Sequence, residues 1–325
     1  MEKKAILIGL GLGLVIGFSS CQKQAEKTPE KIDHVFLIGI DGLNTKGLAQ
    51  ANTPVIDSLK AQGSFVPQSR AVLPSVSAPN WASMLLGAGP EQHGVTNNGW
   101  RVEADSNLVP VVHNERKWFP SIFTVIRAQL PTAEIGSIYQ WGDFGMLYDR
   151  AQLSYDRHFN TADSAVQAFA AYIQEKKPLF AAIHIDDVDH AGHTFGHETP
   201  EYIQAVQKAD SLIGIIARAI KEAGIAENSV IMMASDHGGI RHGHGGITPI
   251  EMNTAVLLSG KGIKKGYTVK QPVYVYDVAA TVAFALDLHT PYAWIGRPIK
   301  AAFTGFEEPQ YAELGTDHLE ENVQH

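Results

Sequence analysis

Between Asp236 and His244, one carboxylate and three imidazoles (His237, His242 and His244) crowd the stretch SDHGGIRHGHGGITP. A packed core gains nothing from imidazoles so placed, and a solvated loop seldom needs three, so the pattern points to metal coordination. Borderline metals such as zinc take this mixture of imidazole and carboxylate, whereas calcium and magnesium favour oxygen alone. The cluster has company. IGIDG ends one apolar run at Asp41, and DDVDHAGHTFG places Asp189 and His193 four residues apart after another. Seven of the fourteen histidines fall between positions 184 and 244, which scattered surface histidines rarely do. Asp41, Asp189, His193, Asp236, His237 and a late histidine exceed what one ion needs, so two ions are expected. Paired ions ~3.5–4 Å apart clamp both the attacking and the leaving oxygen of an in-line displacement.

Each residue also has a plain structural reading. Asp189 and His193 fit a surface i,i+4 pair, Asp236 a helix cap, and Asp41 a turn before Gly42. Asp186 and Asp187 compete with Asp189. His242 competes with His244, although HGG leaves the backbone more room to turn. His93 and His190 read as structural or pocket-lining. The nucleophile is expected on another strand-to-helix turn, and LPSVSAPNWASMLLG provides Ser77 just before a helical stretch with Pro79 in its first turn. The helix dipole favours an anion there. The competing reading is a plain serine N-cap.

The elements that must position these groups alternate. VFLIGI (35–40), EIGSIY (134–139), LFAAIHI (179–185), SVIMMAS (229–235) and TAVLLSG (254–260) are short and apolar on both faces, as in buried parallel strands. Helical spacing fills 54–62, 78–87, 119–129, 162–176, 200–223 and 277–288. This alternation predicts an α/β fold, a mostly parallel central sheet flanked by helices on both faces, with ligands beyond the strands' C-terminal ends. The aromatic-rich loops 96–118 and 140–160 are expected to form a small cap. Trp81, Trp100, Tyr139, Trp141 and Phe144 are read either as a cradle for a leaving group or as core.

The order of Asp41, PSVSAPNW, HGVTNN, DxxxH at 189–193, SDHG and a later HGG resembles the alkaline phosphatase superfamily, most closely its type I phosphodiesterase/nucleotide pyrophosphatase branch. The tail YDVAATVAFALDL…IGRPI adds to the likeness, which spans roughly residues 33–300. The resemblance implies an alkaline phosphatase-like fold and two zinc ions. One would be held by Asp189, His193 and His244, the other by Asp41, Asp236, His237 and the nucleophile Ser77, where the branch usually has Thr. It also implies that an Asn after the HG motif, Asn98 rather than Asn97, stabilises a phosphoryl oxygen; in the expected mechanism the amide of residue 78 helps to bind the oxygens. The late histidine follows the DH pair by only seven residues, whereas nucleotide-cleaving relatives carry a long insert that helps build their pocket. A nucleotide substrate therefore does not follow from the likeness. A sulfatase needs Arg four residues after its nucleophile; Trp81 stands there.

The chain of 325 residues, 45% apolar, suffices for one large core. Its net charge of −8 offers no basic face, so nucleic acid is not an expected partner. Lysines 3 and 4, an apolar stretch to Ser20 and the single cysteine, Cys21, after FSS resemble a bacterial lipoprotein signal (1–21), with a tether at 22–32. The sixteen apolar residues are short of the ~20 that span a bilayer. A lipid-anchored protein of the bacterial cell envelope, periplasmic or on the outer membrane, is expected, with a catalytic domain at 33–303 and a poorly ordered acidic tail at 304–325. No Lys or Arg occurs between Ala71 and Trp100 or from Ala128 to Asp149. That favours a monoanionic phosphodiester, hence a small phosphate-ester substrate, over a dianionic monoester. A phosphomonoesterase, a mutase or phosphotransferase, and a non-catalytic metal- and anion-binding lipoprotein are the alternatives. The oligomeric state is not legible.

Overall fold

A computed structural model describes residues 28–104 and 108–310. The signal, Cys21, most of the tether and residues 311–325 lie outside the described residues. Among those described, no helix is long and apolar enough to cross a membrane.

Nine strands form one sheet: β1 (His34–Ile40), β2 (Gly63–Arg70), β3 (Ile135–Tyr139), β4 (Tyr155–His158), β5 (Phe180–Ile185), β6 (Ser229–Ala234), β7 (Asn253–Gly260), β8 (Tyr267–Thr268) and β9 (Val273–Tyr274). Their order is β4-β3-β5-β1-β6-β7-β2-β8, with β9 also pairing with β2. The helices are α1 (Thr45–Gln50), α2 (Pro54–Ala61), α3 (Ser77–Leu86), α4 (Pro90–His93), α5 (Ile122–Gln129), α6 (Ala162–Lys176), α7 (Asp187–Phe195), α8 (Pro200–Glu222), α9 (Pro249–Met252) and α10 (Asp277–Ala285).

The continuous apolar character of β1 has a direct cause: both faces are covered. Alternating residues divide between two cores. Val35 and Leu37 join Trp81, Phe123 and Val278 on the side of α3, α5 and α10. Phe36, Ile38 and Ile40 join Val166, Phe169 and Ile213 on the side of α6 and α8. Each such side chain taken fully from water contributes roughly 1.5–3 kcal/mol. The long helix α8 shows the matching helical period, burying Tyr202, Val206, Ala209, Leu212, Ile213, Ile216 and Ile220. Thr199 starts it by accepting the Tyr202 amide.

The expected α/β architecture with helices on both faces is present. Four details differ from expectation. First, β7 runs antiparallel to β6 and β2, not parallel. The link between β6 and β7 holds only the single turn of α9, too little helix for the crossover that a parallel pair requires. A strand buried on both faces looks the same in either direction. Second, 63–70 is a strand. Third, the stretch 140–160 is no cap; it supplies β4, which pairs with β3 and forms one edge of the sheet. Fourth, the domain reaches beyond 33–303. Ile32 is buried, and Glu308 accepts from the Tyr267 hydroxyl and the amides of Lys270 and Gln271.

The topology accounts for the site. β5, β1 and β6 are adjacent and parallel, with Gly39 beside His184 on one side and Ala234 on the other. Adjacent strands lie ~4.8 Å apart, so residues just past their ends meet. Asp41, the start of α7 and Asp236 thus share one edge.

Candidate metal centre and nucleophile

Two groups of ligand atoms converge there, Asp41 with Asp236 and His237, and Asp189 with His193 and His244, each within 4.8 Å of one another. The two adjoin. His237 and His244 stack with centroids 3.8 Å apart, and His244 Nε2 lies 3.8 Å from Asp189 Oδ1. Asp189 and His193 sit one turn apart on α7, so the i,i+4 geometry is real; Asp189 is buried at the sheet edge, while His193 stays half exposed. Gly42 has φ +66°, and a Cβ there would stand 2.6 Å from Asp189 Oδ1. Only glycine lets α7 come this close to the end of β1.

The tautomers follow from the second nitrogen of each ring. His193 Nδ1 faces the His242 carbonyl at 2.9 Å, His237 Nδ1 the Gly238 carbonyl at 2.9 Å, and His244 Nδ1 the Ser75 carbonyl at 3.0 Å. Each Nδ1–H donates to a carbonyl, so each ring turns its Nε2 towards the centre, the arrangement that second-layer bonds impose on metal-binding imidazoles. His242 does not join them: it is exposed, and its own Nδ1 contacts the His193 carbonyl at 3.2 Å.

Asp41 is held by two donors. Trp81 Nε1–H and His184 Nε2 both lie 2.8 Å from its Oδ2. Its Oδ1 has no partner, and the same is true of Asp189 Oδ1 and Asp236 Oδ2, all buried. Asp236 Oδ1 accepts from the Gly42 amide. Of these, the orphaned oxygens of Asp41 and Asp236 are costly without a cation, while Asp189 Oδ1 faces His197 Nε2 at 3.5 Å. The donor set of carboxylates and Nε2 atoms therefore fits the two zinc ions that the resemblance implies. A third group, Asp41, His184 and Asp186, is a hydrogen-bonded support, because Asp41 Oδ2 is already taken. Asp187 bonds Gln140 and Lys208 instead.

Electrostatics tell the same story. Burial, then the Asp189 charge, pushes the Asp41 carboxyl up to about 8, and burial with the same neighbours raises Asp236 well above its ordinary value. For Asp189 burial works against the charge, yet the hydrogen bond from His193 and the His197 ring beside it hold the carboxyl below the usual range. Its bond in turn lifts His193 to about 9. Burial, aided by His244, lowers His237 to about 3. Like charges so crowded cannot all ionise, so protons stand where a metal would.

Ser77 opens α3 as its first helical residue. The N-cap is Val76, so the plain N-cap reading does not hold. Its Oγ lies 3.1 Å from His237 Nε2. Buried Asn80, one turn on, accepts from the Val72 amide at 2.7 Å and donates to the carbonyls of Pro74 and Val76, folding the approach to Ser77 onto the helix. Ser75 clasps the late-histidine loop, donating to the Gly246 carbonyl at 2.7 Å. Asn98 Oδ1 accepts the Ala78 amide at 2.8 Å, whereas Asn97 folds back on the Gly99 amide. The expectation that the residue-78 amide binds a phosphoryl oxygen is thereby corrected: that N–H is spent on Asn98.

The aromatic cradle also needs correction. Trp81 packs at 4.9 Å from the His184 ring and 5.5 Å from Phe144, and a Cβ on Gly39 would lie 2.4 Å from its indole. Trp81, Trp100, Tyr139 and Phe144 are core, and only Trp141 is half-buried. Buried His93 bonds Ser83 and the Val95 amide, a structural role. Sequence reasoning missed His184, Asn80 and His197. The one polar residue in the otherwise apolar β5 was a usable signal for His184.

The model of the family described as type I phosphodiesterase / nucleotide pyrophosphatase matches residues 35–290. Human ectonucleotide pyrophosphatase/phosphodiesterase family member 1 is 25% identical over 57% of this chain and 21% of that protein. Human bis(5'-adenosyl)-triphosphatase ENPP4 is 24% identical over 72% of this chain and 52% of that protein. The chain thus spans about a fifth and about half of these relatives. Among solved structures, murine ectonucleotide pyrophosphatase/phosphodiesterase 5 in an inactive form with AMP superposes with a TM-score of 0.67 at 15% identity, covering 80% of this chain and 96% of that one. A 2-O GAG sulfatase, BT1596, gives 0.65 at 15%, covering 87% and 76%. These likenesses show the fold, and the family match over most of the chain shows that it belongs to the type I phosphodiesterase/nucleotide pyrophosphatase family.

Proposed function

We propose that the protein hydrolyses phosphodiesters through a covalent phosphoseryl intermediate on Ser77, with two zinc ions. The observation that carries this reading is the place of Ser77 Oγ, on a helix N-terminus and 3.1 Å from His237 Nε2, against two ligand groups with orphaned carboxylate oxygens. Asp41, Asp236, His237 and Ser77 would hold one ion, and Asp189, His193 and His244 the other. When bound, the ions supply Lewis-acid stabilisation of the attacking and leaving oxygens.

Ser77 Oγ attacks phosphorus as the ester oxygen opposite it departs, and water then cleaves the phosphoseryl ester. The amide dipoles of α3 favour the alkoxide form of Ser77. Asn98, fixed by the Ala78 amide through Oδ1, keeps its Nδ2 hydrogens for a phosphoryl oxygen. His237, neutral through burial, keeps its Nε2 lone pair facing the centre. The stretches flanking Ser77 and Trp141 lack Lys and Arg, which supports a monoanionic diester over a dianionic monoester. The AMP complex belongs to a relative, and a nucleotide is one diester source among several.

The test uses zinc-loaded protein with bis-p-nitrophenyl phosphate and p-nitrophenyl phosphate. Preference for the diester is expected, and Ser77→Ala should lower kcat by roughly 10⁴-fold or more while zinc content stays nearly intact, since Asp41, Asp236 and His237 remain. Full activity in that variant removes Ser77 as nucleophile, a strong monoester preference replaces diesterase by phosphatase, and no release from either substrate favours a binding protein.

A further inference from the structure

His197 is 1% exposed, lies outside both ligand groups, and has no part in the reaction steps above. Its Nδ1 faces the Arg241 carbonyl at 3.0 Å. Its Nε2, buried and without a hydrogen-bond partner, points to Asp189 Oδ1 at 3.5 Å, which is orphaned in the same way.

The surrounding chain is shaped for this ring. A Cβ on Gly192 would stand 2.4 Å from His197 Nε2, and one on Gly239 would stand 2.1 Å from it. Gly192 lies inside α7, where glycine is disfavoured relative to alanine. Gly239 follows the Asp236–His237 pair. Two glycines on two candidate ligand-bearing segments thus yield space to one imidazole, whose Nε2 lies 3.5 Å from a candidate ligand carboxylate. A ring needed for packing alone could be apolar; this one places a nitrogen against an oxygen.

We propose that His197 is a positioning residue: it donates Nε2–H to Asp189 Oδ1 and so fixes the carboxylate with Oδ2, 3.1 Å from His193 Nε2, turned to the ion shared with His193 and His244. The proposal rests on the two-ion reading. His197 is not itself a ligand of that ion, since it falls outside the group that Asp189, His193 and His244 form. It acts through Asp189, as outer-layer partners of metal ligands do, where loss of the partner typically weakens metal affinity ~10–100-fold.

The experiment compares His197→Leu, which fills the space without a donor, with His197→Gln, which keeps one. Zinc dissociation constants come from competition with a chromophoric chelator, and thermal midpoints of the metal-free proteins report folding. The expected result is one of two zinc affinities weakened about 10–100-fold in the leucine variant and near wild type in the glutamine variant. Wild-type affinity in the leucine variant overturns the proposal, and so does equal weakening in both, which would mean that ring shape alone matters. If the leucine variant does not fold, His197→Ala is compared with glutamine by the same criterion. Wild-type protein that binds no zinc overturns the two-ion reading and this proposal with it. Wild-type protein that binds two ions but turns nothing over removes only the catalytic reading, leaving the His197 comparison to stand or fall on its own.

Discussion

Asp41, Asp236 and His237 lie wholly out of water, while His193 in the neighbouring group keeps 46% of its side chain exposed. The buried group is made at the tips of two adjacent strands, β1 and β6, and inherits their rigidity. The open group is assembled from a helix turn and a loop: Asp189 and His193 on α7, His244 beyond the Ile240–Gly243 turn. The supports differ too. Asp41 is gripped by Trp81 and His184 from within the core, whereas the Nδ1 atoms of His193 and His244 bond loop carbonyls. Burial makes each charge in the first group costly, so on the two-ion reading proposed above an ion there would be the more tightly held. The second group reaches solvent through His193. If two ions are bound as proposed, depth would divide their labour.

The sharpest way to break that division is to remove one ligand from each side. Asp236→Asn deletes the charge of a buried ligand next to Ser77. Several kcal/mol of transition-state stabilisation go with the ion, so kcat is expected to fall about 10³–10⁴-fold. His244→Ala should cost less, with zinc loss at the open position that excess zinc partly restores. Elemental analysis and kinetics over a zinc series distinguish the two. Rescue of Asp236→Asn by added zinc, equal to that of His244→Ala, would abolish the distinction.

Much of this site was legible because its ligands follow apolar strands at fixed points. Asp41 after VFLIGI, Asp236 after SVIMMA and the DxxxH pair after LFAAIHI need only a parallel sheet to bring them together. Ser77 followed from a proline in a first helical turn. What stayed hidden acts across the fold. Trp81 reaches Asp41 over forty residues, and His197 reaches Asp189 because two glycines make room. Neither relation leaves a local period. Asn80 was hidden for another reason: an asparagine inside a helix reads as surface until its loop bonds are seen. The direction of β7 lay in the link before it, which has too little helix to cross the sheet, and strand composition alone does not carry that signal.

A second expectation concerns protons, and it affects both groups. Without metal, Asp41 titrates at about 8 and His193 at about 9. Both hold protons at neutral pH that a cation must displace, because only the deprotonated forms ligate. The sign is fixed: a raised value means a bound proton below it, so zinc affinity rises with pH. The gain is about tenfold per unit for each proton displaced, flattening first near the Asp41 value and then near that of His193. Calorimetry at pH 7 in buffers of different ionisation enthalpy should find at least these two protons released. The same raised value makes the metal-free fold lose stability as pH climbs from the ordinary carboxylate range through about 8, so the melting gap between zinc-loaded and metal-free protein widens. A pH-independent zinc affinity would mean that the protons are not where the buried carboxylates place them.

The smallest effect isolates the support beneath the buried group. Trp81→Phe keeps an aromatic ring near His184 and Phe144 but removes the indole N–H that meets Asp41 Oδ2, together with some buried ring volume. His184 still donates to that oxygen, so Asp41 is loosened but not lost. Zinc affinity at the buried position should weaken by about tenfold, the lower end of what an outer partner contributes, while the open position is unchanged. In a two-phase zinc titration, one transition moves and the other stays. If both transitions move together, the groups are coupled through the stacked His237 and His244 rings more strongly than through their separate supports. The contrast of depth would then describe where the ligands sit and not how the ions are held.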